Sequence, residues 1–96
     1  MKRKMTTWDA ADYLDSPKDI ARYIEACIQD DPGDGSLIRT ALGDVAKAKG
    51  MTQIARDCGV GRESLYKALS IDGNPEFSTV LKLLQILGLR LTVKPI

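Results

Sequence analysis

Apolar residues recur at three- and four-residue steps through most of the chain and alternate with polar ones only near its end. Ile20, Ile24, Cys27 and Ile28, with Tyr23 beside them, predict a helix over residues 16–29. Its start signals agree: Ser16 can cap, Pro17 suits the first helical position, and Asp19 favours the positive helix end. The run 30–35, Asp-Asp-Pro-Gly-Asp-Gly, predicts a loop. Ser36 then caps a second helix, which Gly50 ends, with Leu37, Ile38, Ala41, Leu42 and Val45 on one face. After a turn at 72–75, a last helix over 77–87 carries Phe77, Val80, Leu81, Leu84 and Leu87 at helical spacing. Leu83 and Ile86 widen its apolar surface, which predicts cover on two sides. Trp8, Tyr13 and Leu14 anchor a short helical turn near the N-terminus.

The stretch 51–70 has a different character. It predicts a helix over 52–58, a turn at Gly59-Val60-Gly61, and a second helix over 62–69. Ile54, Val60 and Leu65 supply contacts for two helices crossing steeply, and Ala55 lets them approach closely. Gly59 stands where a chain leaving a helix needs positive φ. This is the pattern of a helix-turn-helix, whose second helix enters the DNA major groove. Arg62, Glu63, Tyr66 and Lys67 then share the outward face. The plainer alternative is a helical hairpin that only packs.

Residues 89–94, Leu-Arg-Leu-Thr-Val-Lys, alternate with the period of a strand. A lone strand leaves its backbone groups unpaired. It must pair with a second copy, with a partner's sheet edge, or with water. The two-fold symmetry of most helix-turn-helix complexes favours the copy. Leu83, Ile86, Leu89, Leu91 and Val93 are the candidate dimerisation residues. The expected fold is therefore all-α: about five helices, an N-terminal helical extension and a short C-terminal β-strand. Residues 1–35 would form an acidic segment and 36–96 the DNA-binding domain.

Composition narrows the chemistry. The chain has 96 residues, enough for one small domain. It has no histidine, and Cys27 and Cys58 stand apart, so zinc binding and Cys–His catalysis are not expected. No nucleophile lies beside a base and no Gly-rich phosphate loop is present. An enzyme, a cofactor and a metal are all unexpected. No run is apolar enough to span a membrane, and no apolar stretch follows Lys2, Arg3 and Lys4, so the expected location is the cytoplasm. The net charge of +1 hides an asymmetry. Residues 9–34 carry eight acids against Lys18 and Arg22, whereas residues 36–96 carry nine bases and five acids. Two surfaces for two kinds of partner would explain this, as would one solvated acidic face.

For double-stranded operator DNA, Arg62 is the prime candidate, since a guanidinium contacts guanine O6 and N7 together. Glu63 can accept from a cytosine amino group or orient Arg62. Lys67 can read a base or hold phosphate, and Tyr66 can donate to phosphate. Gln53 can bond phosphate beside helix N-terminal N–H groups. Lys49 and Arg39 are weaker phosphate candidates.

Residues 36–94 resemble the lambda-repressor-like DNA-binding domains. The chain from about Trp8 resembles the HigA-like addiction-module antidote proteins, or type II antitoxins. The resemblance rests on Tyr13-Leu14-Asp15, the 20–24 run Ile-Ala-Arg-Tyr-Ile, the 41–52 run Ala-Leu-Gly-Asp-Val-Ala-Lys-Ala-Lys-Gly-Met-Thr, and the 62–70 run Arg-Glu-Ser-Leu-Tyr-Lys-Ala-Leu-Ser. Gly73-Asn74-Pro75-Glu76-Phe77 and Leu87-Gly88-Leu89 complete it. It implies an antitoxin that binds a small RelE/HigB-like toxin, blocks its RNA cleavage and represses its own operon. Gly61 departs from the pattern, since relatives often place a capping serine there. A basic RNA-cleaving toxin would suit the acidic first third. Trp8, Tyr13, Ile20, Tyr23 and Ile24 are then candidate apolar anchors, with Asp9, Asp12, Asp15 and Asp19 supplying charge. Alternatively, Trp8 and Ile24 fill this chain's own core. A Cro-like phage repressor without a toxin would share the DNA-binding half, and a helical adaptor with a degenerate helix pair would bind no DNA.

Overall fold

A computed structural model describes Leu14 and residues 16–96. Among these the chain is helical: α1 (Pro17–Asp30), α2 (Ser36–Lys49), α3 (Met51–Cys58), α4 (Arg62–Ala68) and α5 (Phe77–Ile86). No strand occurs among the described residues. Trp8 and Tyr13 lie outside the described residues, as does most of the predicted turn at 8–14.

The two long helices start differently. At α1, Ser16 is extended and its Oγ accepts from the Asp19 N–H at 3.2 Å, with Pro17 in the first turn. This follows the sequence. At α2 the expected cap fails, because Ser36 is already helical and Gly35 before it has no side chain to offer. Asp31 serves instead, from across the loop. One carboxylate oxygen accepts from the N–H groups of Leu37 and Ile38 at 2.8 and 3.2 Å; the other accepts from Gly33 and Gly35, both at 2.8 Å. First-turn N–H groups have no partner within a helix, so a carboxylate there satisfies them and the helix dipole together. Loss of hydration pushes the Asp31 carboxyl up, but the four N–H donors outweigh it and hold the group below its usual range. Asp34 likewise accepts from the Ser36 N–H at 2.9 Å.

One core joins all five helices. Ile20, Val45, Leu65 and Leu83 are its largest fully enclosed side chains, contributed by α1, α2, α4 and α5. Full burial of each such aliphatic side chain favours the folded state by about 1.5–3 kcal/mol. The core therefore crosses the 35/36 boundary drawn from charge. Leu37 and Phe77, expected on core faces, are exposed.

The link from α3 to α4 follows its glycine. Gly59 has φ +76°; its N–H donates to the Arg56 carbonyl at 3.1 Å, and the Val60 N–H donates to the Ala55 carbonyl at 3.0 Å. This paired closure stops a helix and redirects the chain. Gly73 acts by size: a Cβ there would collide with the carbonyl oxygens of Lys67 and Ala68.

The strand expected over 89–94 is absent. A strand is defined by its ladder, and the described residues supply no second strand. The Leu89 N–H donates to the Leu84 carbonyl at 2.8 Å, but among the described residues no hydrogen bond involves the backbone of residues 90–96.

Candidate functional site

α4 is short and divides sharply between inside and outside. Leu65 is 1% exposed and plugs the helix into the core. Arg62, Glu63, Tyr66 and Lys67 are all exposed. The four side chains proposed to meet DNA thus stand on the open side of α4. Gly61, extended and without a capping side chain, opens the helix at Arg62.

Tyr66 has a partner that the sequence did not point to. The Lys47 ammonium, from the last turn of α2, lies 4.7 Å from the centroid of its ring. A cation over an aromatic face is held by the ring quadrupole. Lys47 therefore ties the end of α2 to the exposed side of α4. The two residues are far apart in sequence and meet only in the folded chain. Lys49, two residues on, is exposed.

Gln53 is exposed on α3, and its amide is partly engaged. Its Nε2 donates to Asp57 Oδ1 at 2.8 Å, and its Oε1 accepts from Arg56 Nη1 at 3.2 Å. The second N–H of Nε2 is the donor Gln53 has left for a phosphate. Arg39 is engaged within the chain. Its Nε donates to the Ser70 carbonyl at 2.9 Å and its Nη2 to the Ile71 carbonyl. It braces the segment leaving α4 rather than standing free for phosphate.

The candidate partner residues on α1 need correcting as well. Ile20 and Ile24 are buried in this chain's own core, so neither offers a surface to another protein in this arrangement. The Tyr23 hydroxyl donates to Asp44 Oδ2 at 2.8 Å and fastens α1 to α2. Burial, then the hydrogen bond and charge of Asp44, push the Tyr23 phenol well above its ordinary pKa. Ile28, 50% exposed, is the large apolar side chain that α1 leaves open.

The candidate dimerisation residues separate in the same way. Leu83 is fully buried and belongs to the core. Ile86 and Leu89 are half-buried, while Leu91 is 54% and Val93 92% exposed. Both cysteines are free thiols. Burial raises the pKa of each; nearby Asp44 and Asp30 add to this at Cys27, whereas Lys82 opposes it at Cys58. Among the described residues no cluster of acidic, cysteine or histidine side chains fits a metal ion. No helix there is long and apolar enough to cross a membrane.

The bundle thus presents a short, polar-faced helix on its surface, and comparison with known proteins supplies the family. Residues 4–95 match the family model described as "Probable addiction module antidote protein", and the chain belongs to that family. It is 45% identical over 94 residues to an uncharacterized protein of Haemophilus influenzae, spanning 98% of this chain and 95% of the relative. No solved structure matches.

Proposed function

We propose that the protein is the antitoxin of a type II toxin–antitoxin module, neutralising a RelE/HigB-like toxin by direct binding and repressing its own operon. Membership of the antidote family supports a toxin partner in general. The DNA half rests on one observation: α4 buries Leu65 and exposes Arg62, Glu63, Tyr66 and Lys67 beside the α2 terminus carrying Lys47 and Lys49. In this reading α3 and α4 are a helix-turn-helix of the lambda-repressor type. Arg62 and Lys67 meet base edges, and Tyr66 and the α2 lysines meet the sugar-phosphate backbone. The protein acts in the cytoplasm as a homodimer, through binding rather than catalysis.

Toxin contact is assigned to the N-terminal third, with its surface revised. Ile20 and Ile24 are removed from it by burial. Trp8 and Tyr13 remain candidates, and the exposed acids of α1 supply charge complementary to a basic RNA-cleaving protein.

Co-expression with the neighbouring open reading frame tests the proposal. The two chains should co-purify, and growth arrested by the toxin should be rescued. Rescue without co-purification would exclude neutralisation by direct binding. Failure of both, with salt-sensitive DNA binding intact, would favour the Cro-like repressor.

A further inference from the structure

Three residues of α2, at successive steps of four, meet α4 and the chain leaving it. Arg39 donates from Nε to the Ser70 carbonyl at 2.9 Å and from Nη2 to the Ile71 carbonyl. Gly43 lies against Leu69, the residue that closes α4. A Cβ added at Gly43 would stand 3.0 Å from the Leu69 carbonyl oxygen and 3.4 Å from its Cβ. Lys47 sets its ammonium 4.7 Å from the centre of the Tyr66 ring. Residues four apart form one ridge of a helix. The contacts of α2 with α4 thus fall on a single ridge, with a cation at each end and bare backbone between.

α4 has seven residues, and so short a helix has little stability of its own. The Gly59 turn holds its start and the buried Leu65 its middle. The ridge holds its far end. Gly43 sets the closest approach, since any side chain there presses Leu69 outward. Arg39 draws on the segment just beyond. Its two donors bind successive carbonyls as a fixed fork, which a single ammonium does not reproduce, and its charge suits the negative end of α4. Lys47 holds the outer face through the Tyr66 ring.

We infer that this ridge sets how far α4 stands out from the bundle, and that Arg39 and Gly43 are positioning residues for base reading although neither touches DNA. The inference rests on the DNA reading proposed above. Base-edge hydrogen bonds are directional and act over a narrow range of distance, so side chains that make them need placing to within about 0.5 Å. Contacts from long basic side chains to phosphate carry no sequence information and act largely through charge. A displaced α4 therefore loses discrimination between sequences before it loses general affinity.

Gly43→Ala and Arg39→Lys, each in the full chain, test this at a temperature where circular dichroism shows the variant folded. Fluorescence anisotropy compares DNA from upstream of the coding sequence with random duplex at two salt concentrations. Each variant should bind the upstream DNA about three- to tenfold more weakly, with random-duplex affinity within about twofold and an unchanged salt slope. Arg39→Lys keeps the charge, so a phosphate-binding Arg39 would leave both affinities as they were. Nuclear magnetic resonance supplies a measurement without DNA. The Tyr66 ring should shield the Lys47 ε-methylene protons in the wild type, and this upfield shift should shrink in both variants. Should Gly43→Ala not fold, Arg39→Lys carries the test.

An unchanged ratio of upstream to random binding in either folded variant overturns the positioning role, as do equal losses on both duplexes. A lost ratio with the Lys47 shift undisturbed overturns the ridge as its route. A wild type that does not distinguish the two duplexes overturns the DNA reading itself, and the inference with it.

Discussion

The Tyr23 hydroxyl donates to Asp44 at 2.8 Å and joins the first two helices of the bundle. It ties the helix that carries Ile20 and Ile24 to the one that carries Leu42 and Val45. Tyr23→Phe keeps the ring and deletes the donor to a carboxylate. A hydrogen bond to a charged group contributes about 1.5–3 kcal/mol, and partial solvent access puts the expected loss at the lower end. Urea melts at neutral pH measure it. An unchanged midpoint together with loss of toxin capture would return Tyr23 to the partner surface.

Stability should fall toward both pH extremes for separate reasons. The Tyr23 phenol and both thiols titrate above their ordinary values in the folded chain. The unfolded chain therefore releases those protons first. Their contribution is fully present below the unfolded pKa values and is lost as pH rises past about 9–10. Asp31 and Asp34 are shifted the other way. Their contribution is present above about pH 4 and lost below it. Thermal melts from pH 3 to 11 test both limbs, and Asp31→Asn should flatten the acid limb.

Two glycines should respond oppositely to an added side chain. Gly73→Ala forces a methyl group against backbone carbonyls that cannot swing away. A loss of about 1–3 kcal/mol or more is expected, as for other overpacked sites. Gly61 has extended geometry, and a Cβ there meets only Ser64 Oγ at 3.7 Å. Gly61→Ser should stabilise the chain by a few tenths of a kcal/mol, about the difference between serine and glycine as caps. Denaturant midpoints of the two variants should move in opposite directions.

Arg39→Met removes the brace on Ser70 and Ile71. Melting temperature should drop, while the salt dependence of DNA binding stays unchanged, because no phosphate contact is lost. A shallower salt slope at unchanged stability would restore Arg39 to the phosphate-binding set.

Local signals were legible in the sequence where neighbouring residues control them. Ser16 with Pro17 marked α1, Gly59 marked the end of α3, and Leu65 marked the buried side of α4. What depends on packing between distant elements was not legible. Helical spacing showed that Ile20, Ile24 and Leu83 share apolar faces, but not whether this chain or another would cover them. A rule that looks one residue back named Ser36 as a cap, although Asp31 reaches the same N–H groups from five residues earlier. Lys47 meets Tyr66, and Arg39 meets Ser70 and Ile71, only once the chain has folded. The alternation over 89–94 described a segment's capacity to pair, which a single chain leaves unused.

The central claim is that α4 reads base pairs. Fluorescence anisotropy of wild type and Arg62→Ala, on DNA from upstream of the protein's own coding sequence and on random duplex, at two salt concentrations, addresses it most directly. Arg62→Ala should lose about 1–3 kcal/mol on the upstream DNA and far less on random duplex, which removes selectivity at one base pair. Equal losses on both duplexes, or no salt-sensitive binding by the wild type, would contradict it.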